Sequence, residues 1–231
     1  MTDTITEFDS ILEALHLAIE KSDAAAAIRT LQQADHDQTA KLIDRLSVED
    51  RQALFGLLTP EQGAEVLERV YYFQGADIIE ELSAQVAAPF VAELDSDDRA
   101  DLMNELDQAD SEAILEELDE DLAHETRRFM AYPDGTAGAI MYSEFVSFQA
   151  DMTVEEILND IQTNRKKYIE FGVQYAYVLG HEHQLLGVLP VRNLLFASRS
   201  QLASEIMIPE PTTVHAYDTI EELEDIFEEH N

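Results

Sequence analysis

Asp97 and Asp101 stand four residues apart in DSDDRADLMNEL, residues 95 to 106, so on a helix both carboxylates leave the same face and can approach one cation together. Hard divalent ions are the partners such a pair suits. Mg²⁺ prefers oxygen ligands, keeps several of its waters and takes only one or two carboxylates, which fits a crevice between acidic surfaces. The stretch from Asp95 to Glu125 carries fourteen Asp and Glu residues against one arginine, Arg99. That density repels itself when the chain is compact, and a divalent cation relieves it. Each acid taken singly reads more readily as part of a solvated acidic face; the signal is the cluster. Asp95-Ser96-Asp97-Asp98 is superficially like a calcium loop, but Ala100 occupies the place of the required glycine, so it is not an EF-hand. No GxxxxGK[ST] phosphate loop is present. His181 and His183 flank Glu182 in a polar turn and read as solvated imidazoles. Nothing assembles into a catalytic constellation, so the chain does not read as an enzyme.

The charge of the whole chain narrows its partners. With 49 acids against 14 Lys and Arg, the formal net charge over 231 residues is -35. Nucleic acid and anionic lipid would be repelled, which leaves cations or basic proteins. There is no cysteine, so disulfides, thiolate nucleophiles and thiolate zinc sites are excluded. The start, MTDTITEFDS, is polar and acidic and does not read as a signal peptide, and no apolar run approaches the ~18 residues of a membrane helix. The length predicts two domains.

Short helices must position the acids. From Asp35 the chain divides every twelve residues, beginning DHDQTAKLIDRL, SVEDRQALFGLL and TPEQGAEVLERV and continuing through DQADSEAILEEL. Positions eight, nine and twelve of all seven blocks are apolar, as in Leu54, Phe55 and Leu58, or Leu102, Met103 and Leu106. Spacings of three and four put these residues on one helical face. Several blocks open on Ser, Thr or Asp as an N-cap, and Ser47 with Asp50, or Asp95 with Asp98, resembles a capping box. Twelve residues allow two turns and a corner, too short to stand alone, so the blocks are expected to stack as an α-solenoid. One long helix is the rival, and Pro60 and Pro89 are expected to interrupt it.

A second repeat follows at a separation of 66. AIMYSEFVSF at 139 to 148 aligns with EIMIPEPTTV at 205 to 214, and Val154-Glu155-Glu156 with Ile220-Glu221-Glu222. Between the copies the pattern predicts a helix capped by Thr153 with Glu156, a strand from Tyr175 to Leu179, a turn at HEHQ, a strand from Leu185 to Leu189 and a short helix. That order is β-α-β-β-α. The tyrosine pairs Tyr71-Tyr72 and Tyr175 with Tyr177 read as core or interface aromatics. In AYPDGTAGAIMYSEFV, residues 131 to 146, Gly135 and Gly138 permit conformations that other residues resist, and the stretch reads as a hinge running into the first strand.

IMYSEFVSFQADMTVEEIL, YAYVLGHEHQLLGVLPVRNLL and EIMIPEPTTVHAYDTIEEL resemble a pair of CBS subdomains. With the acidic array in front and YPDGTAGAIM joining the two, the chain from about residue 35 is similar to the cytosolic region of the MgtE family of magnesium transporters. The fold class implied is α + α/β: a right-handed superhelix of short helices over 1-130, a first CBS subdomain with its junction over 131-204, and the start of a second, truncated one over 205-231. The resemblance implies a magnesium-sensing regulatory region that lies on the cytoplasmic side of the membrane, forms a homodimer through the CBS region and controls a transmembrane pore domain absent from this sequence. Asp97, Asp101 and Glu65 match acidic metal-contacting positions of that family, the backbone near Gly138 and Ala139 matches the facing junction, and Glu221 is the matching acid in the second CBS subdomain. Further family acids would follow Asn231, where this sequence reads as a fragment or a truncated relative. Two other readings stay open. One is a soluble CBS pair binding an adenine nucleotide through Tyr175, Arg192 and Asn193, although Pro190 and Asn193 stand where such sites carry Ser or Thr and Asp. The other is a helical scaffold for a basic partner.

Overall fold

Every twelfth residue from Asp23 to Asp119 starts a helix in the computed structural model, which describes residues 2–165, 168 and 174–230. After α1 (Thr2–Glu20) come α2 (Ala24–Leu31), α3 (His36–Arg45), α4 (Val48–Phe55), α5 (Pro60–Leu67) and α6 (Tyr72–Glu80). The series continues with α7 (Ala84–Ala92), α8 (Ser96–Glu105), α9 (Gln108–Glu117) and α10 (Glu120–Met130). Side chains close several N-termini at the predicted positions: Ser47 accepts from the Asp50 N–H at 3.1 Å, and Asp35 with Gln38 and Thr59 with Gln62 form reciprocal boxes. At Asp95 no side-chain cap bond forms, and the Asp98 carboxylate accepts from the hydroxyl of Tyr72.

The repeat extends one block beyond the expected seven at each end. Positions eight, nine and twelve are buried in every block from α3 to α9 except for Leu82 and Leu118, which pack half-buried against the same core. In α2 and α10 position eight is a threonine, Thr30 or Thr126, buried with its hydroxyl donating to the carbonyl four residues back at 2.9 and 2.8 Å. Each helix from α5 to α8 packs on the next but one, so α5 meets α7, α6 meets α8, α7 meets α9 and α8 meets α10. This stacking, rather than helix propensity, stabilises segments of eight to eleven residues. At Gly63 a Cβ would come within 2.2 Å of the Phe90 ring, so glycine is what lets α5 and α7 approach there. Pro60 stands at the first position of α5, where its missing N–H costs nothing, but Pro89 lies inside α7 and removes one bond from that helix instead of ending it.

Residues Met1–Ile140 form one compact unit and Met141–Asn231 the other. In the second, β1 (Ser147–Gln149), α11 (Val154–Thr163), β2 (Tyr175–Leu179) and β3 (Leu185–Pro190) follow the expected order. A short 3-10 helix (Val191–Leu195), α12 (Ala203–Ile206), β4 (Ile208–Pro209) and α13 (Ile220–His230) complete it. The sheet runs β1-β2-β3-β4, with β1 parallel to β2 and the other pairs antiparallel. Val146, Phe148, Val154, Ile157, Ala176, Val178 and Leu189 make its core. The strict alternation of β2 turns Ala176 and Val178 inward, so Tyr175 and Tyr177 are surface residues and not core. Thr153–Glu156 and Thr219–Glu222 are the same capping box 66 residues apart, with carboxylates accepting from the threonine N–H at 2.8 Å in both. The duplicated strands are shorter than expected. Residues 141 to 146 run without regular structure before β1, and in the second copy only Ile208–Pro209 pairs, on β3.

Candidate metal centre

The first turn of α8 presents Asp97 and Asp98, with Asp101 one turn further along. All three carboxylates are half-buried. Asp97 and Asp98 stand where the helix N-terminus favours negative charge, which offsets part of their mutual repulsion. Tyr72, the first residue of α6, donates its hydroxyl to Asp98 Oδ1 at 3.1 Å, because α6 packs directly on α8. Burial pushes the Asp98 carboxyl above its usual range and Asp97 pushes it further, while the Tyr72 hydrogen bond pulls it back. Burial likewise raises Asp101, opposed by the nearby Tyr72 hydroxyl and helped by Asp97, Asp98 and Asp134. Glu68, at the end of α5, is raised by burial and by Asp98, Asp95 and Glu65, against Arg69. Tyr72 itself is pushed up to about 12 by burial and Asp98, so at neutral pH it remains a donor.

The other expected ligands lie as follows. Glu65, on α5, is 46% exposed and pairs with Arg69 at 3.0 Å. Glu68, which the block pattern did not single out, feels the charge of Glu65 as well as of Asp98 and Asp95. Gly138 is buried and Ala139 half-buried in a single 3-10 turn, Ala137–Ala139, that packs on α10. Its bonds are accepted by the carbonyls of Thr136 and Ala137, which leaves those of Gly138 and Ala139 outside the turn's own bonding. The left-handed conformation falls on Gly135 (φ 76°), not on Gly138. Glu221 is exposed in the first turn of α13. Asn193 follows β3 and donates its amide to the Ile206 carbonyl at 3.0 Å, while Tyr175 and Arg192 are exposed. His181 lies 3.5 Å from Asp151, both well exposed. Among the described residues a second acidic group, Glu80, Asp107 and Asp110, brings ligand atoms within 4.8 Å of one another at the surface. Glu80 there caps α9, accepting from the Asp107 N–H at 3.2 Å.

Residues 34–135 match the MgtE intracellular N domain and residues 137–200 match the CBS domain. The chain carries an MgtE N domain followed by a CBS domain. A magnesium transporter MgtE of Enterococcus faecalis is 34% identical over 44% of this chain, and one of Thermus thermophilus is 31% identical over 43%. Each match spans 22% of the relative's own length. The cytosolic domain of the Mg²⁺ channel MgtE, solved in complex with ATP, is 26% identical with a TM-score of 0.79, covering 95% of this chain and 89% of that one. The soluble part of a magnesium transporter shares the fold at the same TM-score, with 24% identity, covering 96% of this chain and 87% of that one. The α8 acids therefore sit within the MgtE N domain. Among the described residues no helix is long and apolar enough to cross a membrane.

A pH dependence follows from the MgtE N domain's acids. Glu68, Asp98 and Asp101 hold protons more tightly folded than unfolded, so their contribution to stability is fully present below the ordinary carboxylate range of about 4 and is lost as pH rises through their raised values. Metal-free protein is expected to melt at a higher temperature at about pH 4, the ordinary carboxylate value, than at pH 7, and saturating Mg²⁺ should shrink that gap. Thermal melts at the two pH values, with and without Mg²⁺, check both signs.

Proposed function

We propose that this chain is the magnesium-sensing regulatory region of an MgtE-like transporter, lying on the cytoplasmic side of the cell membrane. The observation that carries the reading is the cluster of half-buried carboxyls on α8, Asp97, Asp98 and Asp101, with the Tyr72 hydroxyl 3.1 Å from Asp98. Asp97 and Asp101 would supply ligands from α8, with Glu65, the backbone of Gly138 and Ala139, and Glu221 as further oxygens. Carboxylates of this kind suit Mg²⁺, which would supply charge neutralisation and leave most of its hydration shell in place. Full-length relatives are magnesium transporters, and on that likeness the partners are divalent cations, a second copy joined through the CBS region and a transmembrane pore domain. The ion would act by binding a compact, pore-closing arrangement better than an open one, and loss of the ion would let carboxylate repulsion separate the units and release the pore.

An adenine nucleotide on the CBS domain is the second reading, favoured by the ATP complex of a structural relative. Tyr175, Arg192 and Asn193 would face it, but Asn193 already serves the Ile206 carbonyl and lacks the charge of an aspartate.

Small-angle scattering tests the proposed closure. Millimolar Mg²⁺ should reduce the radius of gyration relative to a chelated sample at the same ionic strength, since salt alone screens charges over a Debye length of ~10 Å at 0.1 M. Superimposable curves would count against closure.

A further inference from the structure

We propose that the cleft at the start of α6, between α3 and α8, docks a basic peptide: it takes one arginine side chain between its walls and seats the apolar residue beside that arginine on the rings of Tyr71 and Phe73. The proposal is independent of the magnesium reading, although Asp98 borders both sites. Three aromatic residues stand in a row in YYF, residues 71 to 73, and all three are exposed. The rings of Tyr71 and Phe73 stack at 5.6 Å with their planes 4° apart, which makes a flat apolar platform at the surface. Both tyrosines are held from opposite sides. Tyr71 donates to Asp37 on α3 at 3.3 Å, and Tyr72 donates to Asp98 on α8 at 3.1 Å. Exposed aromatics that are already fixed lose little freedom when a partner covers them, which is the property of a recognition surface.

Size and charge identify the occupant. The cleft holds about 290 Å³ between His36 and Asp37 on one wall, Tyr71 and Tyr72 on the next, and Glu68 and Asp98 on the third. Small-molecule sites usually run to ~300–1,000 Å³, so this one suits a single long side chain better than a cofactor. Arg69, which also lines it, is drawn to Glu65 at 3.0 Å, and Lys41 pairs with Asp37 at 3.1 Å. Glu68 and Asp98 are the charge left over. The N-termini of α3, α6 and α8 each add roughly half a positive charge. Together with Lys41 and Arg69 they do not match the six acids Asp35, Asp37, Glu65, Glu68, Asp97 and Asp98, so a cation is drawn in. Arginine suits the walls better than lysine, because its planar guanidinium stacks on aromatic faces, forks onto carboxylates and is more weakly hydrated. Phe73 lies outside the cleft lining but stacks on Tyr71. A free cation would leave that ring uncovered, whereas a peptide with an apolar residue beside its arginine covers it.

The test is selection from a phage-displayed library of random heptapeptides on the immobilised 231-residue chain, with chelator and about 0.1 M NaCl to screen distant charge. Peptides with arginine beside an apolar residue should be enriched. The tightest of them, measured by fluorescence anisotropy, should bind Tyr71→Ser and Phe73→Ser at least about tenfold more weakly than wild type, the loss expected on truncating an aromatic anchor. Neither substitution changes the net charge, so equal binding to wild type and both variants would reduce the attraction to overall acidity and overturn the proposal. A selection that enriches nothing overturns it as well. Spermine bound as tightly as the peptide would make this a free-cation site, and self-association of wild type that Phe73→Ser abolishes, in place of peptide capture, would make it a contact between two copies; either result overturns the peptide assignment. Should the variants fail to fold, the peptide decides. Changing its arginine to alanine should abolish binding and changing it to lysine should weaken binding, and equal affinity of the three peptides overturns the role given to arginine.

Discussion

Replacing Asp97 and Asp101 together by Asn should raise the melting temperature of the metal-free protein and abolish most of the further rise that Mg²⁺ produces. Two effects oppose each other in the absence of metal. Neutralising Asp97 forgoes its favourable interaction with the helix N-terminus, worth ~0.3–1 kcal/mol at a partly exposed position. Against this, the double change removes the repulsions of Asp97 with Asp98 and of Asp101 with Asp97, Asp98 and Asp134, together with the cost of burying the Asp101 charge. Each close like-charge pair near a protein surface is worth on the order of 1 kcal/mol or more, so relief exceeds the lost dipole interaction. With Mg²⁺ at about 100 times its dissociation constant, wild type gains ~2.7 kcal/mol by mass action, or roughly 5–10 °C for a unit of this size. The variant should gain little of it. A full Mg²⁺-dependent shift in the variant, measured by thermal melts at constant ionic strength, would make these two acids part of a solvated face.

Arg99→Ala should destabilise the helical unit by about 2–4 kcal/mol, because it empties a fully buried position and removes the donor that the Leu94 carbonyl and the Thr126 hydroxyl share. The Arg99 side chain is 2% exposed. Its guanidinium donates to the Thr126 hydroxyl at 3.0 Å, to the Leu94 carbonyl at 2.7 Å and to Glu125 at 3.3 Å, so one side chain ties the end of α7 and the body of α10 to the acidic helix. Arg51 does the same four blocks earlier, donating to the Leu46 carbonyl at 2.9 Å and pairing with Glu81. Arg99→Met keeps most of the packing volume and should lose less than Ala. Urea unfolding measures both, and a midpoint shift that amounts to less than ~1 kcal/mol at an unchanged slope would show that Arg99 is not the tie described.

The array was legible because its signal is a buried apolar triplet repeated at fixed spacing, and seven blocks of it averaged out local noise. The two terminal blocks were missed for a chemical reason. Thr30 and Thr126 replace the apolar residue at position eight, and their burial is possible only because the hydroxyls are bonded to carbonyls a turn back, which composition does not display. Thr126 in addition accepts from Arg99, a contact across 27 residues. The same limit hid the neighbourhood of the acids. Asp97 and Asp101 follow from i, i+4 spacing on a helix, but Tyr72 reaches Asp98 through the packing of α6 on α8, and Glu68 feels the charge of Asp98 and Asp95, neither of which a local pattern contains. Their only trace in sequence was an aromatic pair opening one block and an acid at position ten of another. Pro89 misled because a helix held by neighbours on both sides tolerates the loss of one hydrogen bond that an isolated helix would not.

Whether the acids of α8 hold Mg²⁺ is most directly decided by titration calorimetry of wild type beside Asp97→Asn/Asp101→Asn, with Mg²⁺ injected at fixed ionic strength and pH 7. Wild type should show a saturable isotherm, and the double variant should show its affinity reduced at least about tenfold, as expected for the loss of charged ligands worth more than ~1.4 kcal/mol. Identical affinity and stoichiometry in the two proteins would contradict the assignment.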